Sequence, residues 1–281
     1  MSFAEHLPDT VDGRYHRRAL LGEGGMGTVW LVWDEHLGRE LAMKAIRTEL
    51  AHGDALARFG LEARVAASLQ HPGIVPVHEL GVLPDGRPWF TMDRVHGVGL
   101  HVRAREVHAG WRTGRSGQGD GGFRRLLEAF LRVCETIAYA HARGVVHRDV
   151  KPPNVMLGDF GAVYVLDWGL ARLGAVAAAG AGGAGMTRLG AVTGTPAYLS
   201  PEQARGEGSE VTARSDVYGL GATLYELLCE RPPRPPTSAP PRRPPRPPAP
   251  SPRRPRPPTP PPGRGPPRQA RTADLLIAAI S

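Results

Sequence analysis

The octapeptide His147-Arg148-Asp149-Val150-Lys151-Pro152-Pro153-Asn154 sets an acid and an amide five residues apart. Its two prolines disfavour regular structure, so the segment reads as a tight loop. On such a loop the pair can divide two tasks. Asp149 can orient and deprotonate an attacking hydroxyl, and the amide oxygen of Asn154 can hold a divalent cation. Asp167, in Asp167-Trp168-Gly169, stands thirteen residues after Asn154 and follows the strand-like run Val163-Tyr164-Val165-Leu166. A carboxylate there can grip a metal that bridges the phosphates of a nucleotide. Gly22, Gly24 and Gly27 lie in Gly22-Glu23-Gly24-Gly25-Met26-Gly27-Thr28-Val29. Without Cβ atoms they let a hairpin approach a phosphate chain and offer it backbone amides. A plain flexible hairpin turn is the competing reading. No Gly-Lys-Ser/Thr follows, so this is not a Walker P-loop.

Lys44 sits in Leu41-Ala42-Met43-Lys44, a strand-like run. Its ammonium either meets an anion or snorkels from an edge strand. The chain has only two lysines, Lys44 and Lys151, against 33 arginines. A composition that favours Arg so strongly should keep Lys where a compact point charge is needed and a planar guanidinium does not fit. Both survivors fall in the segments above.

Around these residues the texture alternates. Residues 14–46 read as strands with short turns, and 74–95 as two more strands about a Pro84-Asp85-Gly86 turn. Leu56, Phe59, Ala63, Ala66 and Ala67 recur at helical spacing over 54–70. The Gly-rich, polar stretch 106–122 reads as a loop. Phe123, Leu126, Leu127, Phe130, Leu131, Cys134, Ile137 and Ala138 restore a helical pattern over 123–143. Residues 174–185 are Gly/Ala-rich and read as mobile, and 216–229 as a last apolar helix. Sheet-rich first, helix-rich second, the chain predicts an α+β fold of two lobes with a cleft between them.

In order and spacing these segments resemble the eukaryotic-like serine/threonine protein kinases of bacteria. The resemblance takes in the Gly-rich loop, Lys44, Glu62, the 147–154 loop, Asp167, Gly194-Thr195-Pro196-Ala197-Tyr198-Leu199-Ser200-Pro201-Glu202 and Ser215-Asp216-Val217-Tyr218-Gly219-Leu220-Gly221. It covers residues 14–230. It implies a small antiparallel-sheet lobe with one helix (14–95) and a helical lobe (96–230), after an N-terminal extension (1–13). It also implies ATP and Mg²⁺ as cofactors and protein Ser/Thr hydroxyls as acceptors, the chain's own among them. Lys44 would bind the α- and β-phosphates and pair with Glu62, whose competing reading is a solvated helix charge. Asp149 would be the catalytic base, assisted by Lys151, and Asn154 and Asp167 the metal ligands. Leu21, Gly22, Gly24, Gly27 and Val29 would cover the nucleotide. Val29, Ala42 and Met156 would hold the adenine, beside a hinge containing Met92, Asp93 and Val95. Lys151 with Thr195 is the pattern for Ser/Thr rather than Tyr acceptors. Arg148 implies control by a phosphate on Thr187 or Thr193.

Asp159-Phe160-Gly161 spells that family's usual metal motif, but it follows Asn154 by only five residues. It reads as a hairpin turn between Val155–Leu157 and Val163–Leu166, which leaves Asp167 as the ligand and Trp168 in place of the usual Phe.

The tail departs from the family. Residues 231–271 hold 20 Pro and 11 Arg and no acid, while residues 1–230 carry a net charge of −2. The overall +8 therefore belongs to the tail, and a broad nucleic-acid face on the body is not expected. Residues 231–281 read as disordered, and the last helices of the helical lobe are not found there. A natural linker and a slipped reading frame both account for this, and the frame slip is favoured. An inactive kinase-like fragment that binds nucleotide or a partner is the alternative function. A docking role for the tail is a third. No secretory or membrane segment is visible, and two cysteines, Cys134 and Cys229, suit a reducing, cytoplasmic setting as buried small hydrophobes. The remaining histidines show no metal-ligand spacing.

Overall fold

A computed structural model describes residues 7–113, 119–173 and 195–233. They fall within one compact unit, Met1–Pro241; the second unit, Arg242–Ser281, lies outside them. The expectations for Thr187, Thr193, the 174–185 stretch and most of the Pro/Arg tail also lie outside.

The first lobe is a six-stranded antiparallel sheet. Its strands are β1 (Thr10–Val11), β2 (Tyr15–Glu23), β3 (Gly27–Asp34), β4 (Arg39–Ile46), β5 (Val77–Val82) and β6 (Pro88–Asp93). The spatial order is β1-β2-β3-β4-β6-β5. The β-branched and aromatic content of β3 and β4 suits a sheet covered on one face. Leu7, Val11, Tyr15, Trp30, Val32, Leu41, Met43 and Trp89 form the core there. Residues 7–11, expected as part of an extension, thus belong to the lobe: Leu7 and Val11 are buried and β1 pairs with β2.

α1 (Gly53–Ser68) packs across the sheet through Phe59 and Ala63, which meet Ile46 and Phe90. Its C-terminal half, with Val65 and Ala66, joins the core of the second lobe. One helix therefore touches both cores. The buried face differs from the one expected. Leu56 and Ala67 are exposed, and Glu62 and Val65 are buried in their place.

The second lobe holds α2 (Leu100–Arg112), α3 (Gly119–Ala142), α4 (Pro201–Ala204) and α5 (Ala213–Cys229). α2 and the start of α3 correct the loop expected over 106–122. Leu100, Ala104 and His108 lie at helical spacing and are buried. In α3 the buried positions are Leu126, Ala129, Val133, Ile137 and Ala140, whereas Leu127, Leu131 and Ala138 are exposed. Apolar character alone placed the stripe slightly off its true face. Cys229 is also exposed, against expectation, while Cys134 is partly buried. Val217 and Leu228 of α5 are exposed as well.

Short strands carry the site. β7 (Gly97–Gly99), β9 (Val155–Gly158) and β10 (Val163–Val165) form one small sheet, and β8 (Val145–Val146) pairs with β11 (Arg172–Leu173). Among the described residues no helix is long and apolar enough to cross a membrane.

Candidate active site

β4 positions Lys44. The two-residue period of a strand puts Ala42 and Lys44 on one face, with Val29 opposite Lys44 on β3 and Met92 opposite Ala42 on β6. Lys44 Nζ donates to both oxygens of Glu62, at 2.6 and 2.7 Å. Glu62 is only 6% exposed. Burial pushes its carboxyl above the usual range, opposed by the Lys44 ammonium and assisted by the nearby Asp167 carboxylate. The expected pair is therefore present, and Glu62 is not a solvated helix charge.

The turn between β2 and β3 lies above this pair. Gly24 N–H donates to Gly27 O at 2.8 Å. A Cβ on Gly27 would fall 2.4 Å from Ala45 O, so only glycine allows β3 to lie this close to β4. Gly22 and Gly25 have nothing within 4 Å of a Cβ and leave the turn open. Leu21 is exposed.

On the far side the 147–154 loop is held by α5. Asp216, buried in the first turn of α5, accepts His147 N–H at 2.8 Å, Arg148 N–H at 2.7 Å and His141 Nε2–H at 2.7 Å. Arg148 takes a left-handed φ of 74°, and its carbonyl accepts from Gln203 Nε2 at 2.6 Å. Sequence reasoning singled out residues 215–221 but missed His141 and Gln203. Neither carries a spacing signal, because their partners lie 75 and 55 residues away.

Asp149 is the centre of this half. Lys151 Nζ donates to Asp149 Oδ2 at 2.6 Å and also to the Thr195 hydroxyl. Thr195 N–H donates to Asp149 Oδ1 at 3.0 Å. Asn154 Nδ2 donates to Asp149 O at 2.9 Å and Oδ2 at 3.2 Å. With its NH₂ group spent there, the carbonyl oxygen of Asn154 is the atom left for a cation.

Asp167 adjoins both halves. Leu166 N–H donates to Asn154 O at 2.8 Å, which ties the two candidate ligands together. Asp167 adopts a left-handed backbone, φ 64° and ψ 69°, which departs from the line of β10. Among the described residues its Oδ1 is buried without a hydrogen-bond partner. An unpartnered carboxylate oxygen and an amide oxygen, on segments joined by that backbone bond, make an all-oxygen donor set, which fits a hard divalent cation. Trp168, 2% exposed, packs at a tilt against His147 with ring centroids 4.6 Å apart and donates from Nε1 to Val165 O at 3.3 Å. His147 donates from Nε2 to Leu166 O at 3.1 Å.

Met156 pairs with Gly99 and lies near the inter-lobe connection, and Met92 and Asp93 end β6, with Val95 just beyond. Asp93 also accepts from His78 Nε2 at 2.7 Å. Asp159-Phe160-Gly161 forms the tip of the β9–β10 hairpin, with Phe160 fully exposed. Glu202 accepts from the Ser215 hydroxyl. Burial opposes ionisation there, but that hydrogen bond and the Arg205 charge hold the carboxyl below its usual range. Sequence reasoning also missed Met26, whose side chain reaches Gly169. Its only signal is a methionine amid glycines.

Comparison with known proteins agrees with this geometry. Residues 15–240 match the family described as "Protein kinase domain". The chain is 42% identical over 230 residues to the probable serine/threonine-protein kinase SCO3848 of Streptomyces coelicolor, covering 80% of this chain and 32% of that protein. It is 41% identical over 222 residues to the DNA damage-responsive serine/threonine-protein kinase RqkA of Deinococcus radiodurans, covering 79% and 30%. To the serine/threonine-protein kinase PknB of Mycolicibacterium smegmatis it is 41% identical over 237 residues, covering 83% and 34%. The chain thus spans about a third of the length of these curated relatives. The PknI kinase domain of Mycobacterium tuberculosis superposes with a TM-score of 0.61 at 27% identity, covering 85% of this chain and 83% of that one. By its family match and these relatives the chain belongs to the protein kinase family, among the bacterial eukaryotic-like serine/threonine protein kinases.

Proposed function

We propose that the chain transfers the terminal phosphoryl group of ATP to serine or threonine hydroxyls of proteins, its own chain among them. The observation that supports this most is the buried, unpartnered Oδ1 of Asp167, set between the Lys44–Glu62 pair and the Asn154–Asp149 cluster. Structural ion pairs alone would not leave a buried carboxylate oxygen bare.

Lys44, fixed by Glu62, neutralises charge on the α- and β-phosphates. The open amides of the 22–27 turn cover the phosphate chain. Val29, Ala42 and Met156 supply apolar surface for the base. Asn154 and Asp167 would hold Mg²⁺, which when bound supplies charge neutralisation on the phosphate oxygens. Asp149 receives the hydroxyl proton of the acceptor, and Lys151 stabilises charge at the same point. Thr195, bonded to both, holds the acceptor strand beside them. Little covalent work falls to the protein; positioning and fixed charge carry the acceleration.

Asp149→Asn is the test. Transfer of radiolabelled phosphate from ATP to a protein acceptor is expected to fall about 10²–10⁴-fold, with nucleotide binding retained. Equal transfer by the variant would refute the assignment of the base.

A further inference from the structure

Met26 lies at the tip of the β2–β3 turn and is half-buried. Its Cε sits against Gly169, where a Cβ would meet it at 2.4 Å. That same Cβ would lie 3.3 Å from Asp167 Oδ1 and 3.4 Å from Glu62 Oε2. The end of the methionine, the bare backbone of Gly169 and both carboxylates therefore meet at one place. The backbone fixes Met26 there. Arg47 N–H donates to Met26 O at 3.3 Å, Gly24 N–H to Gly27 O at 2.8 Å, and Gly27 lies hard against β4. On the opposite flank Trp168 is held by His147 and Val165 O. The turn Asp167–Gly169 is gripped from two sides, once by its own lobe and once by the Gly-rich turn.

We propose that Met26 is a positioning residue, whose thioether clamps Gly169 and keeps water from the Lys44–Glu62–Asp167 cluster, so that closure of the Gly-rich turn sets the metal-holding turn. Methionine suits the task because it is unbranched and polarisable and can fill an irregular gap. Excluding water beside charged groups strengthens their interactions. A side chain at 169 would push the end of the methionine out of this place.

The consequence for turnover rests on the phosphoryl-transfer reading, but the clamp belongs to the nucleotide-free protein and is read there first. Amide hydrogen exchange of peptides spanning residues 165–171 is measured on the full chain without nucleotide. Met26→Ala is expected to raise that exchange by about threefold or more, since a local contact is lost without global unfolding. Met26→Leu, which restores the apolar bulk, is expected to match the parent. Gly169→Ala is expected to loosen the same peptides, but to add less in a Met26→Ala background, where the 2.4 Å contact is gone. In the kinase assay Met26→Ala is expected to raise KM for Mg·ATP about tenfold with kcat nearly unchanged, because fewer molecules are ready to bind.

Unchanged exchange in Met26→Ala overturns the clamp. So does an equal added effect of Gly169→Ala in both backgrounds. Loosened exchange that Leu rescues, in a chain that transfers no phosphate, keeps the clamp and sinks the kinase reading instead.

Discussion

Two tripeptides eight residues apart, Asp159-Phe160-Gly161 and Asp167-Trp168-Gly169, begin with nearly the same chemistry and end in opposite surroundings. Each meets a single 3₁₀ turn, Asp159–Gly161 forming one and Asp167 capping Trp168–Leu170, and each has a left-handed non-glycine residue, Phe160 at φ 53° and Asp167 at φ 64°. Phe160 stands fully in solvent, while Trp168 is 2% exposed. The hydrogen-bond ladder makes the difference. Asp159–Gly161 closes a hairpin whose Gly158 N–H bonds Ala162 O at 2.8 Å, so its tip faces water. Asp167–Gly169 follows β10 where Val165 N–H bonds Gly73 O and Leu166 N–H bonds Asn154 O, both at 2.8 Å. That carries the chain inward, beneath α1. A motif becomes a site through the register that delivers it, and residue identity is only the precondition.

Substitutions can break this contrast. Asp167→Asn is expected to lower phosphate transfer about 10²–10³-fold, by removing fixed charge from the point where phosphate charge must be met. Asp159→Asn is expected to leave the rate within about twofold, as a solvent-facing change should. Comparable losses in both would mean that the wrong tripeptide has been placed at the metal.

The aromatic pair sharpens it. Trp168→Ala is expected to destabilise the fold by about 3–5 kcal/mol in urea unfolding, from the cavity left against His147. Trp168→Phe loses chiefly the indole hydrogen bond and is expected to cost about 1 kcal/mol. Phe160→Ala is expected to stay within about 0.5 kcal/mol. A large loss at Phe160 would reveal a packing partner for the hairpin tip.

Glu62, which Asp167 adjoins, gives a pH dependence. Burial raises its carboxyl in the folded state, so the folded chain holds the proton more tightly than the unfolded one. Its contribution to stability is complete below the ordinary value of 4.5 and is lost as pH rises through the raised value. The stability of the parent relative to Glu62→Gln is therefore expected to fall from pH 4.5 upward, measured by urea unfolding at several pH values. A difference that rises with pH would show that Lys44 outweighs burial.

Much of the site was legible because its parts are close in sequence or stand at strand period. Asp149, Lys151 and Asn154 share one loop, and Ala42 with Lys44 share one strand face. The hairpin reading of 159–161 also came from spacing, since five residues cannot span the strands that must precede the metal. α2 was hidden because its glycines and charges outweighed a short stripe of Leu100, Ala104 and His108. The faces of α1 and α3 were displaced by a residue or so because Leu56, Leu127 and Leu131 look buried in sequence and are not. Glycine at 169 looked like part of a motif, and nothing in the spacing showed that the methionine lies against it.

By itself the sequence determined which groups were available: two lysines among many arginines, an acid and an amide on one loop, a second acid after a strand, and glycines in a turn. Local covalent spacing sets those, and they hold whatever the chain packs against. Only the tertiary structure decided which charges meet. Glu62 faces Lys44 because α1 touches both cores, and the catalytic loop keeps its shape because Asp216 collects three donors from far along the chain. Coulomb attraction and hydrogen bonding act over a few ångströms, and packing alone sets which distant residues come that close.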